Sequence, residues 1–208
     1  LWAIHQLIPR LRMPDEKLPC AEINSSHQLH KATAYYYARE TLLPENKQNR
    51  GMIDQVFGGV RKPVFTTDTA QNHLISLAEV FAMYALVWSP KGWDLIFEKG
   101  GISVPPGLSD EHEAIFTKQI PIIEDFVKGL PKVRRSLAHL PVAMIFDDHD
   151  ITDDWNLTAA WEYAAYNHDF SARIIGNALL GYLMCQGWGN APEHFSNELI
   201  HEIQTVLI

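Results

Sequence analysis

Apolar residues along the chain recur mainly at the three-to-four spacing of helices, interrupted by polar, glycine- and proline-rich stretches. Ser25 or Ser26 is placed to cap a helix running past Tyr35, Tyr36 and Tyr37 to Leu43, with Pro44 ending it. Residues 45–63, rich in Asn, Gln and Gly, predict a long loop holding a short helical turn at 52–57. Asp68 with Gln71 resembles a capping box. After it, Leu74, Ala78, Phe81, Ala85 and Trp88 mark one helical face and Leu77, Val80, Tyr84 and Val87 another, predicting a helix buried nearly all round until Ser89 and Pro90 stop it.

Residues 99–109 read as a loop, and Asp110 with Glu113 as a second capping box. Pro121 predicts a kink or break in the helix that follows, which carries Ile122, Ile123, Phe126 and Val127 toward Gly129. Pro131 starts a short helix with Val133, Leu137 and Leu140 on one face. The run PVAMIF at 141–146 predicts a buried strand. Helices follow over 157–166 and 172–186, then a loop at 187–192 and an amphipathic end helix bearing Phe195, Leu199, Ile203 and Val206.

The pattern predicts an α+β chain, mainly helical, with one core strand at about 141–146. A lone strand needs a partner, which places that partner outside this sequence. Leu1 in first position and Ile208 inside a helix-like pattern support the same expectation, an internal fragment of a longer protein. With no repeat or composition shift, the chain reads as a single partial domain. It comprises a helical region over 1–140, then the strand, an acidic loop and the last helices over 141–208.

The 208 residues, 47% hydrophobic and 20% charged, suffice for one packed core. No apolar run approaches the ~20 residues of a membrane span. A formal charge of −8 argues against a nucleic-acid-binding face. Cys20 and Cys185 lie far apart, outside any metal-ligand spacing.

Chemistry concentrates in one place. Residues 144–155 read MIFDDHDITDDW, with Asp147, Asp148, His149, Asp150, Asp153 and Asp154 following directly on the apolar run. Carboxylates that dense either remain solvated as turn and helix caps or gather round a cation. Layered α/β folds place ligands in loops at the carboxyl ends of strands, which favours the cation. An EF-hand is excluded: with Asp148 first, Thr152 falls at position five, Asp153 at six and Ala159 at twelve. His149-Asp150 and His168-Asp169 also offer the dipeptide of HD-type phosphohydrolases, but that family carries it on a helix and His149 follows a strand-like run.

A third pattern fits better, the metallophosphoesterase loop of Gly-Asn-His followed by Asp or Glu. Here Asp147-Asp148-His149-Asp150 aligns with it, and a carboxylate at 148 serves a hard cation as well as the amide it replaces. The phrase PVAMIFDDHDITDDWN at 141–156 resembles the signature of the PhoD-like, alkaline phosphatase D type of metallophosphoesterase. So do HLISLAEVFAMYALVWSP at 73–90, RRSLAHLP at 134–141 and RIIGNALLGYLMCQGWGN at 173–190. The resemblance covers most of the chain from His73 onward.

It implies an α/β-sandwich phosphatase or phosphodiesterase that acts on a phosphorylated substrate through two divalent or trivalent metal ions, with Fe, Ca, Mn and Zn all chemically suitable. The family's upstream Asp and Gly-Asp-Gln motifs and downstream histidine motifs are not found here, so this chain carries part of a site and is expected to be inactive by itself. On matching positions stand Asp148, as a metal ligand, and His149, as proton donor or phosphate contact. Asp147 and Asp150 are expected to orient the histidine or the loop. Asp153 and Asp154 suit a helix cap as readily as a role in the site, and Trp155 and Asn156 are placed to wall it. The alternative from another class is a non-catalytic helical interaction module with a cation-stabilised acidic loop.

Among the other histidines, His5, His27, His30, His112, His194 and His201 are expected to face solvent, and His73 and His139 to sit in helices in structural roles. The remaining tryptophans read as packing groups, and Arg134 and Arg135 as a structural ion-pair site.

Overall fold

A computed structural model describes residues 1–44, 65, 70–151 and 159–207. The expectations placed on 45–63 and on Asp68, Asp153, Asp154, Trp155 and Asn156 lie outside these residues.

The centre is a helix buried on nearly every side, α3 (Leu77–Trp88), with Leu77, Ala78, Val80, Ala82, Tyr84 and Leu86 all in the core. Its neighbours are α1 (Trp2–Leu11), α4 (Pro90–Phe97), α5 (Asp110–His139) and α7 (Asp169–Tyr182). Ala78, Ala82 and Leu86 pack with Leu7 and Ile8 of α1, Trp93 and Ile96 of α4 and Leu130 of α5. A second cluster gathers Phe170, Ile174 and Ile175 of α7 with Ile75, Leu29, Leu42, Leu43 and Phe65. Further α-helices among the described residues are α2 (Ser26–Leu29), α6 (Ala159–Tyr166), α8 (Trp188–Asn190) and α9 (Asn197–Leu207).

The α+β expectation is overturned, because the described residues form helices and no sheet. A single antiparallel bridge, Lys17 with Ser25, is the one β-type pairing among them. Leu140 ends α5 at φ −115°, ψ 136°, and residues 141–147 beyond it have no regular secondary structure. They are not a core strand. Ile145 is 83% exposed and Val142 is exposed too. A short apolar run suits a buried strand, but a strand also needs a neighbour for its N–H and C=O groups. That neighbour here is a side chain. The amide of Asn190 accepts from the Met144 N–H at 2.8 Å and donates back to the Met144 carbonyl.

Several helix boundaries also differ. Ser25 caps only the four-residue α2, and Thr33–Tyr35 and Arg39–Thr41 are separate 3₁₀ turns rather than one helix reaching Leu43. The capping box of α3 is Ser76 with Glu79. Ser109, accepting from His112 N–H, starts α5, which runs unbroken for 30 residues through Pro121 and Pro131. Both prolines are exposed, and the helix tolerates the loss of their two backbone hydrogen bonds without breaking. Past α7, a π-helical turn at Leu183–Gly187 leads directly into α8, so residues 187–190 are helical rather than loop. That continuation delivers Asn190 to Met144.

Candidate metal centre

The acidic segment forms one 3₁₀ turn, Asp148–Asp150, capped by Asp147. Asp147 Oδ1 accepts the Asp148 N–H at 3.0 Å, and Asp150 Oδ2 accepts the Asp147 N–H at 2.9 Å. The reciprocal arrangement is a capping box closed within four residues. Apolar anchors hold the turn at both ends. Ile151 is buried in the second cluster, and Phe146 packs beside it and meets the Tyr182 ring edge-on at 4.8 Å.

Asp147, Asp148 and His149 each offer a ligand atom, and these atoms lie within 4.8 Å of one another. Asp148 is half-buried while Asp147 and His149 are exposed. Two carboxylate oxygens and an imidazole nitrogen suit a hard or borderline cation. Three donors fit one cation's partial shell. Among the described residues no second group of this kind stands nearby, so a dinuclear centre draws on nothing else described here. Asp147 and Asp150 both spend carboxylate oxygens on the turn's own backbone.

Behind the turn lies a cavity of about 170 Å³, lined among others by His73, Tyr84, Phe146, His149, Asp150 and Tyr182. His73 is not helical. It follows the 3₁₀ turn Ala70–Asn72 outside any helix, its Nδ1 donates to the Leu74 carbonyl at 2.7 Å, and burial lowers its pKa. Burial raises the Tyr84 hydroxyl to about 12, and Gln186 donates to it at 3.3 Å. The sequence does not reveal these walls, because Tyr84 of α3, Tyr182 of α7 and His73, just before α3, lie far from 147–150 in the chain.

Nor does the sequence reveal a second polar cluster. Glu79, fully buried, takes Arg39 Nη2 at 2.7 Å and Nη1 at 3.3 Å, His5 Nε2 at 2.6 Å, and the backbone N–H groups of Ile75 and Ser76. His5, expected at the surface, is therefore in the core. Burial lowers its pKa, and its Nδ1 finds no partner, as a neutral ring donating through Nε2 would leave it. His30 and His112 are half-buried, whereas His27, His194 and His201 are exposed. His139, also exposed, ends α5. Burial brings His30 down to about 4, with Nε2 2.8 Å from Ser76 Oγ. These groups fasten the start of α3. Glu16 adds to them, accepting the Leu77 N–H at 2.9 Å and the Asn177 amide at 2.7 Å.

The HD-type alternative loses ground on geometry. His149 and Asp150 sit on a 3₁₀ turn, and His168 caps α7 by accepting the Phe170 N–H on Nδ1. No protein-family model, no curated protein and no solved structure matches the chain.

Proposed function

We propose that this chain contributes the Asp-Asp-His turn of a metal-dependent phosphoester hydrolase of PhoD-like type, the rest of whose ligands come from outside it. The observation that carries the reading is the convergence of Asp147, Asp148 and His149 within 4.8 Å on a turn anchored at both ends. Asp148, with Asp147 beside it, would hold the cation, which when bound neutralises phosphoryl charge and acidifies water. His149 stands next to that position, exposed, where an imidazole can hold a proton for the departing alkoxide oxygen. The cavity behind it offers room for part of the substrate.

Mn²⁺ titration followed by paramagnetic broadening of the His149 ring signals tests the reading. Broadening is expected, and Asp148→Ala should weaken it at least tenfold in Mn²⁺ concentration. No broadening at millimolar Mn²⁺ overturns the proposal. With the outside ligands supplied, His149→Ala should lower hydrolysis of an aryl phosphate by roughly 10²–10⁴.

One observation favours a second reading, a helical interaction module with a cation-stabilised turn: the capping box is complete without any ion. In that case Mn²⁺ would raise stability while His149→Ala left hydrolysis unchanged.

A further inference from the structure

Helix α5 carries an apolar face on which none of the described elements packs. Phe116, Ile123, Val127 and Leu130 turn toward α1 and α4. About a quarter turn away, at ~100° per residue, Ile115, Ile122, Phe126, Val133 and Leu140 remain 38%, 62%, 42%, 45% and 62% exposed. Their spacings are seven, four, seven and seven, the a/d seam of a heptad repeat. Gln119, which accepts a bond from the Tyr37 hydroxyl, Gly129 and Ser136 fill the intervening seam positions. An apolar strip of this extent, roughly 500 Å² from five large side chains, is at the size that marks an interaction site.

Charge selects the occupant. Residues 110–125 of α5 carry Asp110, Glu111, Glu113, Glu124 and Asp125 against Lys118 alone, whereas 128–139 carry Lys128, Lys132, Arg134 and Arg135 with no acid. A parallel copy would set like charge on like. An antiparallel copy sets each acidic half on a basic half.

We infer that the protein forms a two-fold dimer through α5 packed antiparallel on α5 of a second copy. The register follows from the seam. With the axis between residues 127 and 128, Ile115 layers with Leu140, Gln119 with Ser136, Ile122 with Val133, and Phe126 with Gly129 of the other copy. Phe126 then enters the space at Gly129, where a Cβ would meet nothing within 4 Å. On the outer flank Asp125 faces Lys132 of the other copy, twice by symmetry. Stems of the flanking residues bring the covered surface toward the ~800 Å² per partner of an ordinary stable interface.

Sedimentation equilibrium and cysteine cross-linking test the dimer and its register. Phe126→Glu should give a monomer of unchanged helicity, since the side chain serves no core of its own protomer. Asp125→Lys and Lys132→Asp should each weaken association roughly tenfold, and the double swap should restore it. In a Cys20→Ser/Cys185→Ser background, Ile122→Cys should cross-link to Val133→Cys on mixing but not to itself. A monomeric protein at ~100 μM, a swap that fails to restore, or self-cross-linking of Ile122→Cys overturns the proposal.

Discussion

Replacing Arg39 by methionine isolates the buried charge that fastens the start of α3. Arg39 is fully buried and delivers two bonds to Glu79 and one, from Nε at 3.1 Å, to the Tyr35 carbonyl. The variant keeps most of the volume but leaves Glu79 with His5 and two backbone N–H groups. Removing one partner of a buried pair costs about 3–5 kcal/mol. For a chain of this size that lowers Tm by roughly 6–20 °C. The pH dependence is sharper than the magnitude. Burial pushes the Glu79 carboxyl up, yet the Arg39 charge and the His5 bond together hold it well below the usual range. Wild-type Glu79 therefore stabilises the fold above its unfolded value and loses that contribution as pH falls through the folded one. Without Arg39, burial dominates and the folded carboxyl takes up a proton that the unfolded chain releases, so the variant recovers ground on acidification. Urea unfolding at about pH 8 and about pH 5 should give a smaller wild-type-to-variant gap at the lower pH. A second replacement, Glu79→Met, should bring the double variant closer to wild type than Arg39→Met alone. A loss under ~1 kcal/mol, or one equal at both pH values, refutes the reasoning.

Burial holds His30 down to about 4 from 6.5, so its contribution is full above pH 6.5 and declines as pH falls toward about 4. Allowing for partial exposure this amounts to about 1–2 kcal/mol, and His30→Gln should flatten the urea-derived stability profile in that window. Gly181 of α7 abuts Val80 of α3 so closely that a Cβ would overlap Val80 Cγ1. Gly181→Ala should cost about 1–3 kcal/mol despite alanine's better helix propensity, and Val80→Ala should recover part of it in thermal melts. Asn190→Ala removes both bonds to Met144. Amide exchange and proteolysis over 141–147 should rise, with global stability changed by less than ~1 kcal/mol.

Much of the helical framework was legible because burial leaves a periodic trace. The two-sided apolar pattern over 74–88 predicts a helix sunk in the core, and α3 is that helix from Leu77 onward. Its start was misplaced because Asp68-Gln71 and Ser76-Glu79 both satisfy the capping spacing, and only tertiary contacts tell them apart. Glu79 is chosen by Arg39 and His5, which lie 40 and 74 residues away. Pro121 and Pro131 do not break α5, because each removes one backbone bond from a long helix whose other bonds and packed face remain.

The strand at 141–146 and the acidic turn show the same limit from opposite sides. A short apolar run marks a segment as a candidate strand but does not supply the neighbour that would make it one. At 141–146 the expected core strand is absent, and no sheet forms among the described residues. The turn is the reverse case, a nearly self-contained motif. Asp147 and Asp150 close on each other's backbone within four residues, so the local pattern can be read without knowing what packs behind it. What sequence could not supply is the wall of Tyr84 and Tyr182, brought together by packing of α3 against α7, with His73 from the segment before α3. Motif chemistry is local and visible; the volume in which it would act is tertiary. The two halves meet at Phe146, which extends the apolar run, packs on Tyr182 and lines the cavity beside His149. A change at Phe146 should therefore alter the cavity and the aim of the turn together, whereas Asp148→Asn should leave the Phe146–Tyr182 contact and the cavity wall in place.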